Sequence, residues 1–366
     1  MSSFAPGNSS RFETHAVVVS IPGQADVAAR TVSFLTRCLL GSVVLLAMAA
    51  TAGDAVCADD NSVAVRVEPQ HVKLVGNLAR LQLQVTGTDA NGRRFDLTRG
   101  VSYKITAGGV ASVSKTGAVV PIASGTGTIR VQHGSVGIDI PVTVTKILPR
   151  ASVSFIQDVV PILSRAGCNL GACHGAQFGQ GGLKLSLLGF APEQDHAPLV
   201  RDYRGRRISL LEPDDSLILR KALLRIGHGG GRRFERGSYD HQVLISWLNA
   251  GAPGPKTGEL EVVDLTVSPA EQVYRVDEHQ QLRVVAHYSD NTTRDVTRTA
   301  KYDSLGEGIA TVTDGGDITV VGKGQTAVMV RYEGQAKVSH VLAPFRESVD
   351  LAGFQPKNFV DEHIKA

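Results

Sequence analysis

Asp96-Leu-Thr98 with Tyr103, and Asp295-Val-Thr297 with Tyr302, are the same pattern written twice. The two segments are offset by 295 − 96 = 199 positions, and so are the tyrosines, 302 − 103 = 199. Outward from them, Val67-Glu-Pro69 matches Val267-Ser-Pro269, Val110-Ala-Ser-Val113 matches Ile309-Ala-Thr-Val312, and His133-Gly134 aligns with Glu333-Gly334. A near-constant offset held over about 70 residues marks two copies of one domain, and two non-adjacent copies do not make a solenoid. The first copy alternates apolar and polar residues at period two, in Val65-Arg-Val67, Leu81-Gln-Leu83-Gln-Val85, Ile129-Arg-Val131 and Ile138-Asp-Ile140. Turn clusters such as Asp89-Ala-Asn-Gly92 separate these runs, so short strands stacked as a β-sandwich are expected.

The repeats resemble bacterial immunoglobulin-like domains of group 2. The resemblance is carried by the Val-x-Pro opening, the Asp-(Leu/Val)-Thr segment followed by Tyr, the (Val/Ile)-Ala-(Ser/Thr)-Val strand and the Gly-x-Gly before the last strands. It implies small β-sandwiches used as spacers or adhesive modules on surface and secreted proteins, the spacer role being the expected one.

Between the copies the character changes. Ser154 and Gln157 form a capping box ahead of an apolar helical stripe, Phe155, Ile156, Val159, Val160 and Leu163, with Pro161 weakening its middle. A second helix is expected over Leu217–Leu224 after Asp215-Ser216, and a third from Ser238 through Trp247 to the terminator Gly251.

The motif between these helices is Gly167-Cys-Asn-Leu-Gly-Ala-Cys-His-Gly175. Two cysteines ending in a Cys-His pair read as covalent haem attachment, in which each thiol adds across a haem vinyl group and the adjacent imidazole meets the iron. The usual spacer is two residues and this one is four, with Gly171 and Ala172 adding little bulk. A Cys168–Cys173 disulfide, and zinc or free thiols, stand as the alternatives, zinc lacking a second ligand pair at finger-like spacing.

Residues 154–253 resemble the planctomycete-type cytochrome c domain found in large exported proteins together with group 2 Ig-like domains. The matching stretches are Phe155-Ile-Gln-Asp-Val-Val-Pro-Ile-Leu163, Gly167-Cys…Cys-His-Gly175, Gly181-Gly-Leu-Lys-Leu-Ser-Leu187, Gly205-Arg-Arg207, Pro213-Asp-Asp-Ser-Leu217, His228-Gly-Gly-Gly231 and Trp247…Gly251-Ala-Pro253. The expected fold class is therefore multidomain β plus α, with two Ig-like β-sandwiches flanking an all-α class I cytochrome c-like domain. One covalent haem c is expected on Cys168 and Cys173, with His174 as axial iron ligand. No methionine lies in this segment, and His228 stands in the loop where the sixth ligand is expected; His196, His241 or an open position are the other choices. Arg206, Arg207, Arg232 and Arg233 are candidates to pair with haem propionates.

The expected domain order is an N-terminal extension and signal peptide at 1–58, Ig-like domain 63–146, haem domain 154–253, Ig-like domain 259–343, and a tail at 344–366. The uncharged run 38–53 is short for a membrane span and suits a signal-peptide core, so export to the periplasm or cell surface is expected, with cleavage or anchoring both open. In proteins of the resembled type two further domains follow the second Ig-like domain, and the tail looks like the start of the first of them.

A formal net charge of +3 with 20% charged residues, and no basic stripe interleaved with aromatics, argues against a nucleic-acid binder. No Gly-x-Ser-x-Gly elbow, His-Glu-x-x-His or phosphate-binding loop occurs, so the chain is read as more a haem-binding or binding module than an enzyme. The expected function is an exported c-type cytochrome module for electron transfer or redox sensing. Its expected partners are a redox protein and cell-surface polysaccharide, with membrane contact only through the signal or anchor segment. The alternative is a non-haem surface binding or adhesion protein.

Overall fold

The computed structural model describes residues 63–346 and 352–365. The predicted signal segment lies outside them. The chain divides into two compact units, Met1–Arg66 with Gly87–Arg94, and Val67–Thr86 with Phe95–Ala366. Within the described part of the first, the Asp89 carboxylate accepts the N–H groups of Asn91 and Arg93, both at 2.9 Å, and closes a turn. The cysteine motif and the helical segment 154–253 lie in the second.

The first repeat carries β1 (Ala64–Glu68), β2 (Val72–Val75), β3 (Leu81–Gln82), β4 (Gln84–Thr88), β5 (Arg94–Asp96), β6 (Ser102–Ala107), β7 (Ala111–Val113), β8 (Ala118–Pro121), β9 (Gly125–His133) and β10 (Val136–Thr145). The second carries β11 (Val262–Ser268), β12 (Glu271–Val273), β13 (His279–Gln281), β14 (Arg283–Tyr288), β15 (Thr293–Asp295), β16 (Lys301–Ser304), β17 (Ala310–Val312), β18 (Asp317–Val320), β19 (Gly324–Tyr332) and β20 (Gln335–Ala343). The two correspond strand for strand. A four-stranded sheet β2-β10-β9-β6 repeats as β12-β20-β19-β16, and β3-β8-β7 repeats as β13-β18-β17. β11-β14-β15 completes the second repeat, while β1, β4 and β5 are each divided between the two units.

The alternation read from the sequence is the alternation of burial. In β14, Val284, Ala286 and Tyr288 are buried while Arg283, Val285 and His287 are not. Leu282, Val284, Ile318, Val320, Val328, Val330 and Val341 form the second core, all at 0% exposure. Tyr103 and Tyr302 occupy equivalent positions and make equivalent bonds, donating to Thr98 O and Thr297 O, each at 2.8 Å.

Residues 154–253 correct the expected fold class. They do not form an all-α class I cytochrome c-like domain. Among the described residues this segment holds four short helices, α1 (Val160–Arg165), α2 (Pro192–Val200), α3 (Leu217–Ala222) and α4 (Tyr239–Asn249), joined by long turns. A fifth, α5 (Phe359–Lys365), lies in the tail, and the described chain is mainly β.

The reasons are local. Ser154 Oγ does accept the Gln157 N–H at 3.1 Å, but the turn it caps is a wide π turn over Phe155–Val159, and Pro161 then stands in the first turn of α1. There its missing N–H costs nothing, and α1 ends after six residues just ahead of Gly167 at φ +73°. The stretch after α1 is held in turns by glycine. A Cβ at Gly175 would fall 2.1 Å from Asn169 O, and one at Gly179 would fall 2.1 Å from Leu183 O.

The expected last helix is present as α4. Ser238 Oγ accepts the His241 N–H, and Gly251 follows the helix end at φ +89°. Trp247, at 0% exposure, is its anchor, and Phe155, Ile162, Leu219 and Val243 close around it, also at 0%. Trp247 Nε1 donates to Pro253 O at 2.9 Å, satisfying the one polar atom of the ring.

Candidate functional site

The cysteine loop hangs from the end of α1. Cys168 N–H donates to Leu163 O at 2.8 Å, Cys173 N–H to Leu170 O at 2.9 Å, and His174 N–H back to Cys168 O at 3.0 Å. Asn169 is buried beneath the loop and donates to Ser164 Oγ at 2.9 Å. Cys168 and Cys173 are free thiols, so the disulfide offered as the alternative is not formed. Cys168 packs against the apolar core, and burial pushes its thiol up to about 12, with Arg233 opposing the rise. A thiol held there stays protonated at neutral pH and is a poor nucleophile.

The structure does bring His174 and His228 together. Their rings lie nearly parallel, 12° apart, with centroids at 6.3 Å. His174 Nδ1 lies 3.1 Å from both Gln180 O and Leu183 O, and His228 Nδ1 lies 2.8 Å from Gly231 O. Carbonyls only accept, so each ring carries a proton on Nδ1. Burial holds His174 below the ordinary histidine range, which keeps it neutral.

The other sequence candidates are engaged elsewhere. His196 Nε2 meets Ala252 O at 2.9 Å, and its ring stands edge-on to Phe155 at 5.1 Å. Buried His241 lies 3.4 Å from Asp214. Arg207 is buried and donates to Pro198 O at 2.8 Å and to Gly182 O at 2.6 Å. Arg232 pairs with Glu235 at 3.0 Å, Arg233 donates to Ala166 O at 3.3 Å, and Arg206 is exposed, 5.9 Å from the Tyr203 ring.

The cytochrome, iron and electron-transfer reading is therefore corrected. The two imidazoles meet, but among the described residues the all-α fold that would seat a macrocycle is absent, half-buried Cys168 packs against the core, and Arg207 and Arg233 are bound to backbone carbonyls. Among the described residues no group of three or more His, Cys, Asp or Glu side chains could hold a metal ion.

Sequence reasoning missed a second cluster. The two sandwiches, read as separate spacers, bond to each other through equivalent residues. Asp96 accepts the Gln281 N–H at 2.9 Å, and Asp295 accepts the Gln82 N–H at 3.3 Å. Each glutamine side chain is buried and tied to its own repeat, Gln82 Nε2 to Leu83 O and Thr116 O, Gln281 Nε2 to Leu282 O and Gly315 O. Burial pushes the Asp96 and Asp295 carboxyls above the usual range. Gln84 Nε2 adds bonds to Ser268 O at 2.9 Å and Gln281 O at 2.7 Å, and Arg99 pairs with Asp317 at 2.9 Å. The one available signal was the shared offset, 281 − 82 = 199, which equals that of the aspartates.

The segment 154–253 ties to both repeats. Tyr239 donates to Leu78 O at 3.2 Å and lies under the Arg80 guanidinium, 4.0 Å from the ring centroid. Arg294 bonds Asp158 at 2.8 Å, and Tyr332 donates to Gln157 O at 3.2 Å. No described helix is long and apolar enough to cross a membrane.

No family model and no curated protein matches the chain. Among solved structures it is similar to surface layer protein SbsC, domains 1–6, at 11% identity and TM-score 0.21, covering 79% of this chain and 28% of that one. The chain thus spans less than a third of that protein's length. It is also similar to SbsC domains 5–6, at 13% identity and TM-score 0.29, over 77% of this chain and 99% of that one. The adhesin InvE of Yersinia pseudotuberculosis is similar at 11% identity and TM-score 0.17, over 76% of this chain and 58% of that one. All three TM-scores are below 0.3, and the β-domain reading rests on this chain's own strands.

Proposed function

We propose that this chain is an exported, non-haem surface protein that works as a binding and scaffold unit. In this reading two Ig-like sandwiches are joined directly to each other and to a small helical connector. The observation that carries it is the reciprocal bonding of Asp96 with Gln281 and Asp295 with Gln82. A contact made by the same residue types in both directions is the intramolecular counterpart of a two-fold interface, and it holds two sandwiches in one orientation. Such a unit presents a fixed surface, which suits adhesion or lattice spacing better than turnover. The run 38–53 supports export, and envelope polysaccharide is the proposed partner class.

The test uses the whole chain, expressed with its own N-terminus in a Gram-negative host and fractionated, then co-sedimented with purified envelope polysaccharide. Recovery in the periplasm or envelope with saturable co-sedimentation is expected. Retention in the cytosol together with no co-sedimentation would overturn the reading.

A further inference from the structure

Where the two sandwiches meet the helical connector, the described residues line an open cavity of about 330 Å³. Three arginines line it, one from each part: Arg80 of the first repeat, Arg165 of the connector and Arg298 of the second repeat. Tyr239 and Thr116 line it too, and Asp314 is its one lining carboxylate, on an exposed turn. None of Cys168, Cys173, His174 or His228 takes part.

The charges do not balance within the wall. Arg165 is paired with buried Asp240, and Arg298 donates to Gln82 Oε1 at 2.8 Å and Thr116 Oγ1 at 3.2 Å, both neutral. Arg80 has an aromatic face instead of a carboxylate. The Nε atoms of Arg80 and Arg165 are buried with no hydrogen-bond partner. Burial lowers the proton affinity of Arg80, and the nearby charges of Arg298 and Arg165 lower it further, while Tyr239 and Asp240 oppose them. Buried donors without acceptors are costly, and three guanidiniums facing one space favour a bound anion that accepts from their planar forks.

We propose that this cavity binds an oxyanion, a sulfate, phosphate or carboxylate, either free or carried on an acidic sugar. Its volume falls within the range of small-molecule sites and admits a monosaccharide bearing one such group. Because each arginine comes from a different part of the chain, the anion draws both sandwiches onto the connector, and binding stabilises the assembled unit by mass action. The inference goes beyond the surface reading and does not rest on it.

The test is titration of the purified whole chain with sodium sulfate, inorganic phosphate, sodium glucuronate and glucose 6-sulfate, following thermal stability and heat of binding against sodium chloride at matched ionic strength. Saturable binding beyond chloride is expected, and the arm with the lowest Kd identifies the source, inorganic or saccharide. Arg80→Gln is expected to weaken binding several-fold. Asp314→Asn removes the opposing charge from an exposed position and is expected to tighten it several-fold. If Arg80→Gln fails to fold, Asp314→Asn decides alone. No saturable binding in the unmodified chain, or an affinity that Asp314→Asn leaves unchanged, would overturn the proposal whatever polysaccharide co-sedimentation shows.

Discussion

Asp96 accepts the backbone N–H of Gln281 at 2.9 Å across 185 residues of chain, while its other oxygen holds Thr98 of its own repeat, N–H at 2.9 Å and Oγ1 at 2.5 Å. One carboxylate therefore fixes a turn and a domain contact at once. Asp96→Ala strips acceptors from both and leaves buried donors unsatisfied, at a cost of about 1–3 kcal/mol. Asp96→Asn keeps one acceptor oxygen and is expected to lose less. Urea midpoints of the two variants check the order, and an unchanged midpoint for Asp96→Ala would refute it.

The turns that follow the cysteine loop depend on glycine for two separable reasons. At Gly179 a side chain meets backbone at 2.1 Å and φ is +66°, whereas at Gly181 φ is +58° but nothing lies within 4 Å. Gly179→Ala is expected to destabilise clearly more than Gly181→Ala, which carries only the left-handed strain of about 1–2 kcal/mol. Thermal unfolding of the two variants measures the difference, and equal losses would mean that the clash relaxes.

The sandwiches were legible because a half-buried strand writes its geometry at period two, and the second copy repeats that signal independently. Helix α4 was legible for a similar reason, since Ser238, Trp247 and Gly251 carry its start, its anchor and its end. The connector was legible only in its helices, α3 beginning at the expected Leu217 and stopping at Ala222, and not in the turns between them. A resemblance in motif spacing says nothing of what Pro161 and the glycines do between the motifs, and there local backbone chemistry overrides the helical pattern. The junction was legible least. Arg80, Arg165 and Arg298 each look like an ordinary surface charge until three distant segments meet. Of the proposed haem ligands, His174 and His228 do come together, because Gly229–Gly231 let a turn close that His228 Nδ1 caps.

The thiols offer a direct check of the cysteine loop. With Cys38 and Cys57 replaced by serine, native protein without reductant is expected to show two free thiols by mass after labelling under denaturing conditions. In the folded state Cys168 is expected to label far more slowly than Cys173, because its thiol is buried and shifted up to about 12. A protein that labels only after reduction contains the disulfide, and the free-thiol structure would then be wrong.

Glu333 gives the fold a pH dependence within the physiological range. It lies in the turn after β19 at φ +43°, with a buried Oε1 that has no hydrogen-bond partner. Burial raises its carboxyl from 4.5 to about 7; Tyr332 and Arg294 oppose the rise, and Asp158 and Glu259 add to it. The folded pKa is thus the higher one. Between 4.5 and about 7 the folded chain holds a proton that the unfolded chain has released, so stability is full below this window and falls as pH rises through it. The loss on passing from about pH 5 to about pH 8 is expected to be on the order of 2 kcal/mol. Glu333→Gln keeps the shape and cannot ionise, so the difference in urea midpoint between the original chain and the variant should move in favour of the variant as pH rises. Histidines titrate equally in both proteins and cancel. A difference that does not vary with pH would show that Glu333 is solvated and ordinary.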